Sequence, residues 1–167
     1  MHKTMAFIAF AAGLSATPLL AADAGSVAAD GTVTIRPGEA FEIAFADGDD
    51  LSHPKFSRVL DHLDQNVVGW HKPDPNAPSP SGPRLMSFEF QNEGASLKLL
   101  VRNDTGVAIK YDATMVAQMP DGKLVSSHTS VCPSFPGMLG NELWAQPIVM
   151  LKLSKFQRAT EDSFVCE

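Results

Sequence analysis

The sequence predicts a mainly β protein, a two-sheet antiparallel sandwich with one short packed α-helix. Three observations support this prediction. Apolar and polar residues alternate with a period of two along most of the chain, turn residues recur between these runs, and one segment shows the spacing of an amphipathic helix. The alternating runs make about seven or eight strands, and strands at such short intervals close most simply as two packed sheets.

The start of the chain has the pattern of a bacterial-type export signal. Lys3 supplies a positive charge, an apolar run follows over residues 5–16, and small residues surround Ala22 and Ala24. This run is about half as long as a transmembrane helix, so it indicates a cleaved signal peptide (residues 1–22) rather than an anchor. We expect cleavage after Ala22, or alternatively after Ala24, and a periplasmic or secreted protein without a transmembrane segment.

The mature chain, residues 23–167, has a length that suits a single domain with its own core. Loss of Lys3 with the signal peptide leaves 12 basic and 19 acidic residues, a formal net charge of −7. An acidic chain without a cluster of lysines and arginines is a poor candidate for binding nucleic acid or anionic membranes. The expected partner is therefore another exported or envelope protein, and no nucleic acid is expected.

Cys132 and Cys166 are the two cysteines of the chain. In an oxidising compartment two such cysteines are paired more often than free. Neither lies in a Cys-x-x-Cys motif, which makes a metal pair or a redox pair the weaker alternative. A disulfide between them would stabilise the fold by about 3–4 kcal/mol and hold a C-terminus that otherwise frays.

Two alternating runs flank a Pro37–Gly38 turn near the start of the mature chain. Residues 32–36 and 41–45 each alternate, and the second run places Phe41 and Ile43 on one face. Two such runs around a tight turn predict a hairpin-like pair of strands.

The one predicted helix begins at Pro54, because a residue without an N–H group is tolerated in the first helical turn. Four apolar side chains then follow at i, i+3, i+4 and i+7 and form a single stripe: Phe56, Val59, Leu60 and Leu63. A helix of about eleven residues is not stable alone, so we expect it to pack this stripe on the sheet.

A proline-rich stretch follows a possible short strand at residues 67–71. Residues 73–83 contain five prolines, which cannot donate the hydrogen bonds of a strand ladder. We predict an exposed loop inserted between strands of the same domain.

The rest of the chain is predicted to be strands joined by turns. Turns are predicted at residues 103–106 and 120–123, the second one a hairpin turn. Residues 133–147 hold three prolines and two glycines and predict a long irregular crossing, and residues 148–153 predict a strand buried on both faces. The predicted inward-facing residues are Met86, Phe88, Phe90, Leu97, Leu99, Val101, Val107, Ile109, Tyr111, Ala113 and Met115.

Histidines and methionines show no spacing typical of a metal site, which needs three or four convergent donors. No metal ligand and no cofactor is therefore predicted. Met86, Met115 and Met150 lie on inward strand faces and are expected to fill the core. A periplasmic copper or zinc chaperone is the first alternative function. The residues concerned are His53, His62, His71, His128, Met86, Met115, Met119, Met138 and Met150.

Catalytic residues are not predicted either, because no serine lies in a Gly-x-Ser-x-Gly elbow. Asp47, Asp49 and Asp50 cluster in one loop and would allow a carboxylate pair, although acidic turn residues are usually part of the turn itself. A small hydrolase is the second alternative function.

The best candidates for a recognition surface are Trp70 and His71, which border the proline-rich loop, and Glu142 and Trp144, which lie in the predicted crossing. Tryptophan is enriched at binding hot spots, and loops on a rigid sandwich often carry function. The alternative is that each indole fills one end of the core and binds a loop carbonyl through its N–H group. The predicted function is a non-enzymatic binding or accessory protein that acts through loops of the sandwich.

Several segments resemble small exported bacterial β-sandwich proteins of uncharacterised function. The resemblance covers most of the mature chain and lies in residues 32–39, 99–106, 111–115, 131–133 and 144–148. The Asn-x-Thr-Gly turn followed by a strand with a tyrosine is also similar to the central hairpin of immunoglobulin-like exported domains. The resemblance implies an immunoglobulin-like sandwich and brings no catalytic residues.

Overall fold

The structure, a computed structural model, describes residues 25–46, 50–65, 84–94, 96–160 and 165–166. The predicted signal peptide, the possible strand at 67–71 and the proline-rich loop at 73–83 lie outside these residues. Within them the chain forms ten strands and no helix: β1 (Ser26–Val27), β2 (Val33–Ile35), β3 (Ala40–Phe45), β4 (Lys55–Val59), β5 (Arg84–Glu93), β6 (Ser96–Asn103), β7 (Ile109–Gln118), β8 (Leu124–Thr129), β9 (Leu139–Trp144) and β10 (Ile148–Arg158).

The strands form two five-stranded sheets in which every neighbouring pair is antiparallel. Sheet 1 has the order β1-β2-β10-β7-β8, and sheet 2 has the order β4-β3-β5-β6-β9. The sheets pack face to face, so that Phe88 of sheet 2 meets Tyr111 of sheet 1 edge-on with ring centroids 6.5 Å apart. This arrangement confirms the predicted two-sheet antiparallel sandwich.

The predicted inward positions are confirmed because they form the core between the sheets. Alternation at period two places every second side chain on the inner face, where apolar burial is the main stabilising contribution. The side chains that are completely or almost completely buried there include Phe41, Ile43, Met86, Phe88, Phe90, Leu99, Val101, Ile109, Leu151 and Leu153.

The predicted hairpin around Pro37–Gly38 is wrong, because its two strands belong to different sheets. β2 pairs with β10 in sheet 1, and β3 pairs with β5 in sheet 2. The turn carries the chain from one sheet to the other, and the Gly38 N–H donates to the carbonyl of Phe90 at 2.6 Å. Alternation defined which residues face inward, but it carries no information about the sheet that each run joins.

The predicted helix starting at Pro54 is also wrong, because residues 55–59 form the edge strand β4. Its ladder with β3 pairs Val59 with Phe41 and Arg58 with Glu42. The carboxylate of Glu42 accepts hydrogen bonds from Ser57 Oγ at 3.0 Å and from Arg58 Nε at 3.2 Å. An isolated helix of this length has little stability, and the exposed edge of β3 offers a full set of backbone partners.

The apolar residues of the predicted helix therefore do not share one buried face. Phe56 and Val59 are exposed on β4, whereas Leu63 is buried after the strand has ended. Residues 60–65 cross the outer face of sheet 2, where the Leu63 N–H donates to Glu89 Oε2 at 2.8 Å.

The predicted irregular crossing at residues 133–147 contains the edge strand β9, which pairs with β6.

The strand β10 lies between β2 and β7 in sheet 1. It buries Leu151 and Leu153 and exposes Lys152, so the prediction of a strand buried on both faces is wrong. Met150 faces the same way as Lys152 and lies outside the core that it was expected to fill.

Both later turns are confirmed. The hairpin of β7 and β8 closes at residues 120–123, where the Met119 N–H donates to the Lys123 carbonyl at 2.8 Å. The turn after β6 starts at Asn103. No helix within the described ranges is long and apolar enough to cross a membrane.

Candidate functional site

The disulfide predicted between Cys132 and Cys166 is present, with the two Cα atoms 4.1 Å apart. Both cysteines are exposed, and the bond joins the C-terminal end of the chain to the segment between β8 and β9. This segment, residues 130–138, crosses from the edge of sheet 1 to the edge of sheet 2. Together, β8, β9 and residues 130–138 form what we term the β8–β9 side of the sandwich.

Trp144 ties the two edge strands together on this side. Its Nε1–H group donates to Thr129 Oγ1 of β8 at 2.7 Å, and its ring meets Phe90 edge-on at 6.1 Å. Only 8% of the residue is exposed, which fits the alternative in which the indole fills the core, with a threonine hydroxyl in place of a loop carbonyl. The partner-binding role of Trp144 stays a prediction, and Trp70 and His71 lie outside the described residues.

Asn103 fixes residues 130–138 from the inside of the fold. This completely buried side chain donates through Nδ2 to the carbonyls of Val107 at 2.9 Å and Ser134 at 2.7 Å. Its Oδ1 accepts from the backbone and the hydroxyl of Thr105 at 3.0 and 2.6 Å. Because all of these groups are buried and paired, the crossing segment is held rigidly against β7.

A small cavity of about 80 Å³ lies between this segment, β9 and the inner face of sheet 1. We term it the Glu142 pocket. Glu142 points inward because it pairs with Leu99 on β6, whose side chain is in the core. Tyr111 and Ser134 also line the cavity, beside the disulfide cysteine Cys132.

The electrostatics of the pocket centre on Glu142. Burial raises the pKa of the Glu142 carboxyl, and the hydrogen bond that its Oε1 accepts from the Cys132 N–H at 2.8 Å only partly opposes this effect. No lysine, arginine or histidine of the described residues forms an ion pair with Glu142. The site therefore contains a partly desolvated carboxyl without a cation.

The other polar groups of the pocket are neutral. Burial, together with the nearby charge of Glu142, raises the pKa of Tyr111 above its ordinary value, so its side chain stays a phenol. The hydroxyl of Ser134 is buried and has no hydrogen-bond partner among the described residues. An unpaired buried hydroxyl is unfavourable.

Of the acidic loop considered for the hydrolase alternative, Asp47 and Asp49 lie outside the described residues. Asp50 forms a second polar cluster with Ser52 and His53. Ser52 Oγ lies 2.5 Å from Asp50 Oδ1 and 2.7 Å from His53 Nδ1. Asp50 also accepts the Ser52 N–H at 2.9 Å, and these hydrogen bonds lower the pKa of the carboxyl. The carboxylate thus accepts the hydrogen bond of the serine hydroxyl, whereas in a catalytic triad the imidazole accepts it. The geometry is that of a side-chain-stabilised turn.

The three described histidines that were considered for a metal chaperone lie on different parts of the fold, and His71 lies outside the described residues. His53 is in this turn, His62 lies 3.1 Å from Glu89, and His128 is on β8. Across the part of the chain that the structure describes, no three His, Cys, Asp or Glu residues come together as metal ligands would. The sulfur of Met115 accepts a hydrogen bond from Gln146 at 2.8 Å.

Buried carboxylates on the outer face of sheet 2 were missed by the sequence analysis. Glu89 is 5% exposed. Its burial acts to raise its pKa, but hydrogen bonds from Gln91, from the Leu63 N–H and from His62 outweigh that effect and lower the pKa. The only signal in the sequence was an acidic residue at an outward position between Phe88 and Phe90, which is ordinarily typical of a solvated face.

Comparison with protein-family models, with curated proteins and with solved structures finds no match for this chain. The fold is a two-sheet antiparallel β-sandwich with a disulfide between Cys132 and Cys166. The chemistry of the β8–β9 side therefore has to be argued from its own residues.

Proposed function

We propose that this chain is an exported, non-enzymatic binding or accessory protein that recognises another exported or envelope protein through the β8–β9 side. The observation that carries this proposal is Glu142, a partly buried carboxyl that faces a cavity and has no cation beside it among the described residues. Export itself follows from the signal peptide expected at residues 1–22.

Among the described residues, no partner of Glu142 requires its negative charge. The Cys132 N–H would be satisfied equally well by the oxygen of a neutral glutamine. Removing an ionised carboxylate from water without a counter-charge is unfavourable, and groups kept under such conditions are enriched at functional sites.

Exposed apolar side chains occur on both edge strands of the β8–β9 side. Leu143 on β9 is 61% exposed, and Leu124 on β8 is 53% exposed. β8 contains no lysine, arginine, aspartate or glutamate, although edge strands commonly carry such charges to block pairing with other chains. A partly buried carboxyl on the same side of the sandwich as exposed apolar residues and a strand edge without charged side chains is a composition that suits protein recognition.

The test uses two matched exposed residues at opposite edges of sheet 2. Leu143 lies on the edge strand β9 and Val59 on the edge strand β4, and they are 61% and 57% exposed. Tagged mature chain (residues 23–167) with Leu143→Glu or Val59→Glu is mixed with the exported proteins of the source cells, and the recovered proteins are quantified.

We expect a protein recovered by the wild type to be lost with Leu143→Glu and retained with Val59→Glu. Both variants should unfold at the same temperature as the wild type, which separates lost recognition from lost folding. Equal recovery by both variants, or selective loss with Val59→Glu, would show that the β8–β9 side is not the recognition surface.

A further inference from the structure

We propose that the Glu142 pocket is a binding site for a primary ammonium group, such as the end of a lysine side chain supplied by the partner. This inference rests on the proposed binding function and adds the chemical group that the site recognises. It follows from three features of the cavity: its acceptors, its charge and its size.

The polar side chains that line the cavity carry oxygen acceptors. Glu142 contributes its carboxylate, whose Oε1 is engaged by the Cys132 N–H. Ser134 is part of the wall, and its hydroxyl is buried without a partner among the described residues. Tyr111 contributes a phenol oxygen from the facing sheet. A primary ammonium group has three N–H donors and no acceptor, so it complements a set of oxygens of this kind.

The charge of the pocket favours a ligand with a single positive charge. Glu142 supplies one carboxylate, and Tyr111 and Ser134 are neutral. A bound ammonium ion would compensate the carboxylate that the described residues leave without a cation. Hydrogen bonds between charged groups are also stronger than those between neutral groups.

The size of the cavity selects the end of a side chain rather than a larger ligand. Its volume is about 80 Å³, whereas pockets for drug-sized molecules measure about 300–1,000 Å³. Val101 and Gly140 give part of the wall an apolar surface, against which the methylene groups of a lysine stem would pack. The compact ammonium group fits this volume better than the broad planar guanidinium of arginine.

The direct test is a titration followed by NMR, with Nα-acetyl-lysine methylamide as the probe. The uncharged analogue Nα-acetyl-norleucine methylamide and the arginine analogue are titrated in the same way. A small probe should bind in the millimolar range, and we expect saturable shifts of the backbone amide signals of Cys132, Ser134 and Glu142. The norleucine analogue should leave these signals unchanged, and the arginine analogue should bind more weakly than lysine.

The matched variants are Glu142→Gln and Glu93→Gln. Glu142→Gln keeps an oxygen for the Cys132 N–H and removes the charge, so it should weaken lysine binding by about tenfold or more while the amide spectrum stays that of a folded protein. Glu93 is an exposed glutamate that pairs with Lys98 on the same sheet, so Glu93→Gln should leave binding unchanged.

Undiminished binding to Glu142→Gln, tighter binding of the arginine analogue or the absence of localised shifts would overturn the ammonium site. The partner assay separates this failure from failure of the proposed function. If Glu142→Gln recovers the partner as well as the wild type does, and Leu143→Glu does not, then the recognition surface stands and the ammonium site is refuted.

Discussion

At the level of single residues, Glu142 shows how one inward position on an edge strand can become part of a polar pocket. Its neighbours on the same face are Gly140 and Trp144, and the small glycine leaves the space that becomes the pocket. The sequence indicated Glu142 only through its proximity to Trp144. Tyr111 and Ser134 could not be associated with it, because they come from other elements that the fold alone brings together.

Replacing Glu142 with glutamine should change how stability depends on pH. Because burial raises the pKa of this carboxyl in the folded state, the wild type loses stability as the pH rises through that pKa and Glu142 ionises. Glu142→Gln avoids this loss, so it should be more stable than the wild type at about pH 8 and equal to it at about pH 4. Thermal unfolding of both proteins at each pH measures the difference. A constant difference would mean that Glu142 titrates normally.

Gly31 offers a second residue-level prediction, with Gly122 as its control. Both have left-handed backbone angles, with φ of +82° and +83°, but an added Cβ at Gly31 would lie 2.2 Å from the Ser52 carbonyl, whereas at Gly122 it would meet no atom within 4 Å. Gly122→Ala should lower the free energy of unfolding by about 1–2 kcal/mol, because an alanine is strained at a left-handed φ angle even without a clash. Gly31→Ala should cost several kcal/mol, since the loop at Ser52 must also move. Chemical denaturation compares the two, and equal losses would contradict the clash.

At the level of elements, residues 54–63 show that the spacing of apolar residues does not by itself determine whether a segment forms a helix or a strand. The spacing of Phe56, Val59, Leu60 and Leu63 fits a helix, but the result depends on partners distant in sequence: the open edge of β3 and the carboxylate of Glu89. The alternating runs of β3, β5 and β6 were predictable because inward orientation is a local property of a strand. The pairing of β3 with β5 joins segments far apart in sequence, and it was not predictable.

Glu89 should act as the anchor of residues 60–65. Its folded-state pKa is lowered, so it contributes stability above the ordinary carboxyl pKa and loses that contribution as the pH falls through the folded-state value. Glu89→Gln replaces one carboxylate oxygen with an amide NH2 group, although the neighbouring groups donate hydrogen bonds to this side chain. The substitution should therefore lower the free energy of unfolding by about 2–3 kcal/mol at neutral pH and by less in acid.

The control for this prediction is Glu93→Gln, an exposed carboxylate on the same strand whose ion pair should contribute about 1 kcal/mol or less. Hydrogen exchange adds a local measurement, because the Leu63 amide should lose protection in Glu89→Gln. Unchanged exchange at Leu63 would mean that other contacts hold this segment.

At the level of the whole molecule, the disulfide stabilises the fold by restricting the unfolded chain. The double variant Cys132→Ser, Cys166→Ser should lose about 3–4 kcal/mol in chemical denaturation, because the bond closes a long loop. The wild type measured under reducing conditions should lose the same amount. A loss far below this value would indicate that the reduced chain keeps residual order near the C-terminus.

The loop closed by this disulfide contains one strand of each sheet, the edge strand β9 and the central strand β10. Tension applied between the two ends of the protein would pass through the sulfur–sulfur bond and bypass the 34 peptide units between the cysteines. In a single-molecule pulling experiment, the oxidised chain should therefore extend by roughly 110–120 Å less on complete unfolding than the reduced chain. In a protein built in this way, residues 132–166 are not extended by a pulling force until the disulfide is reduced.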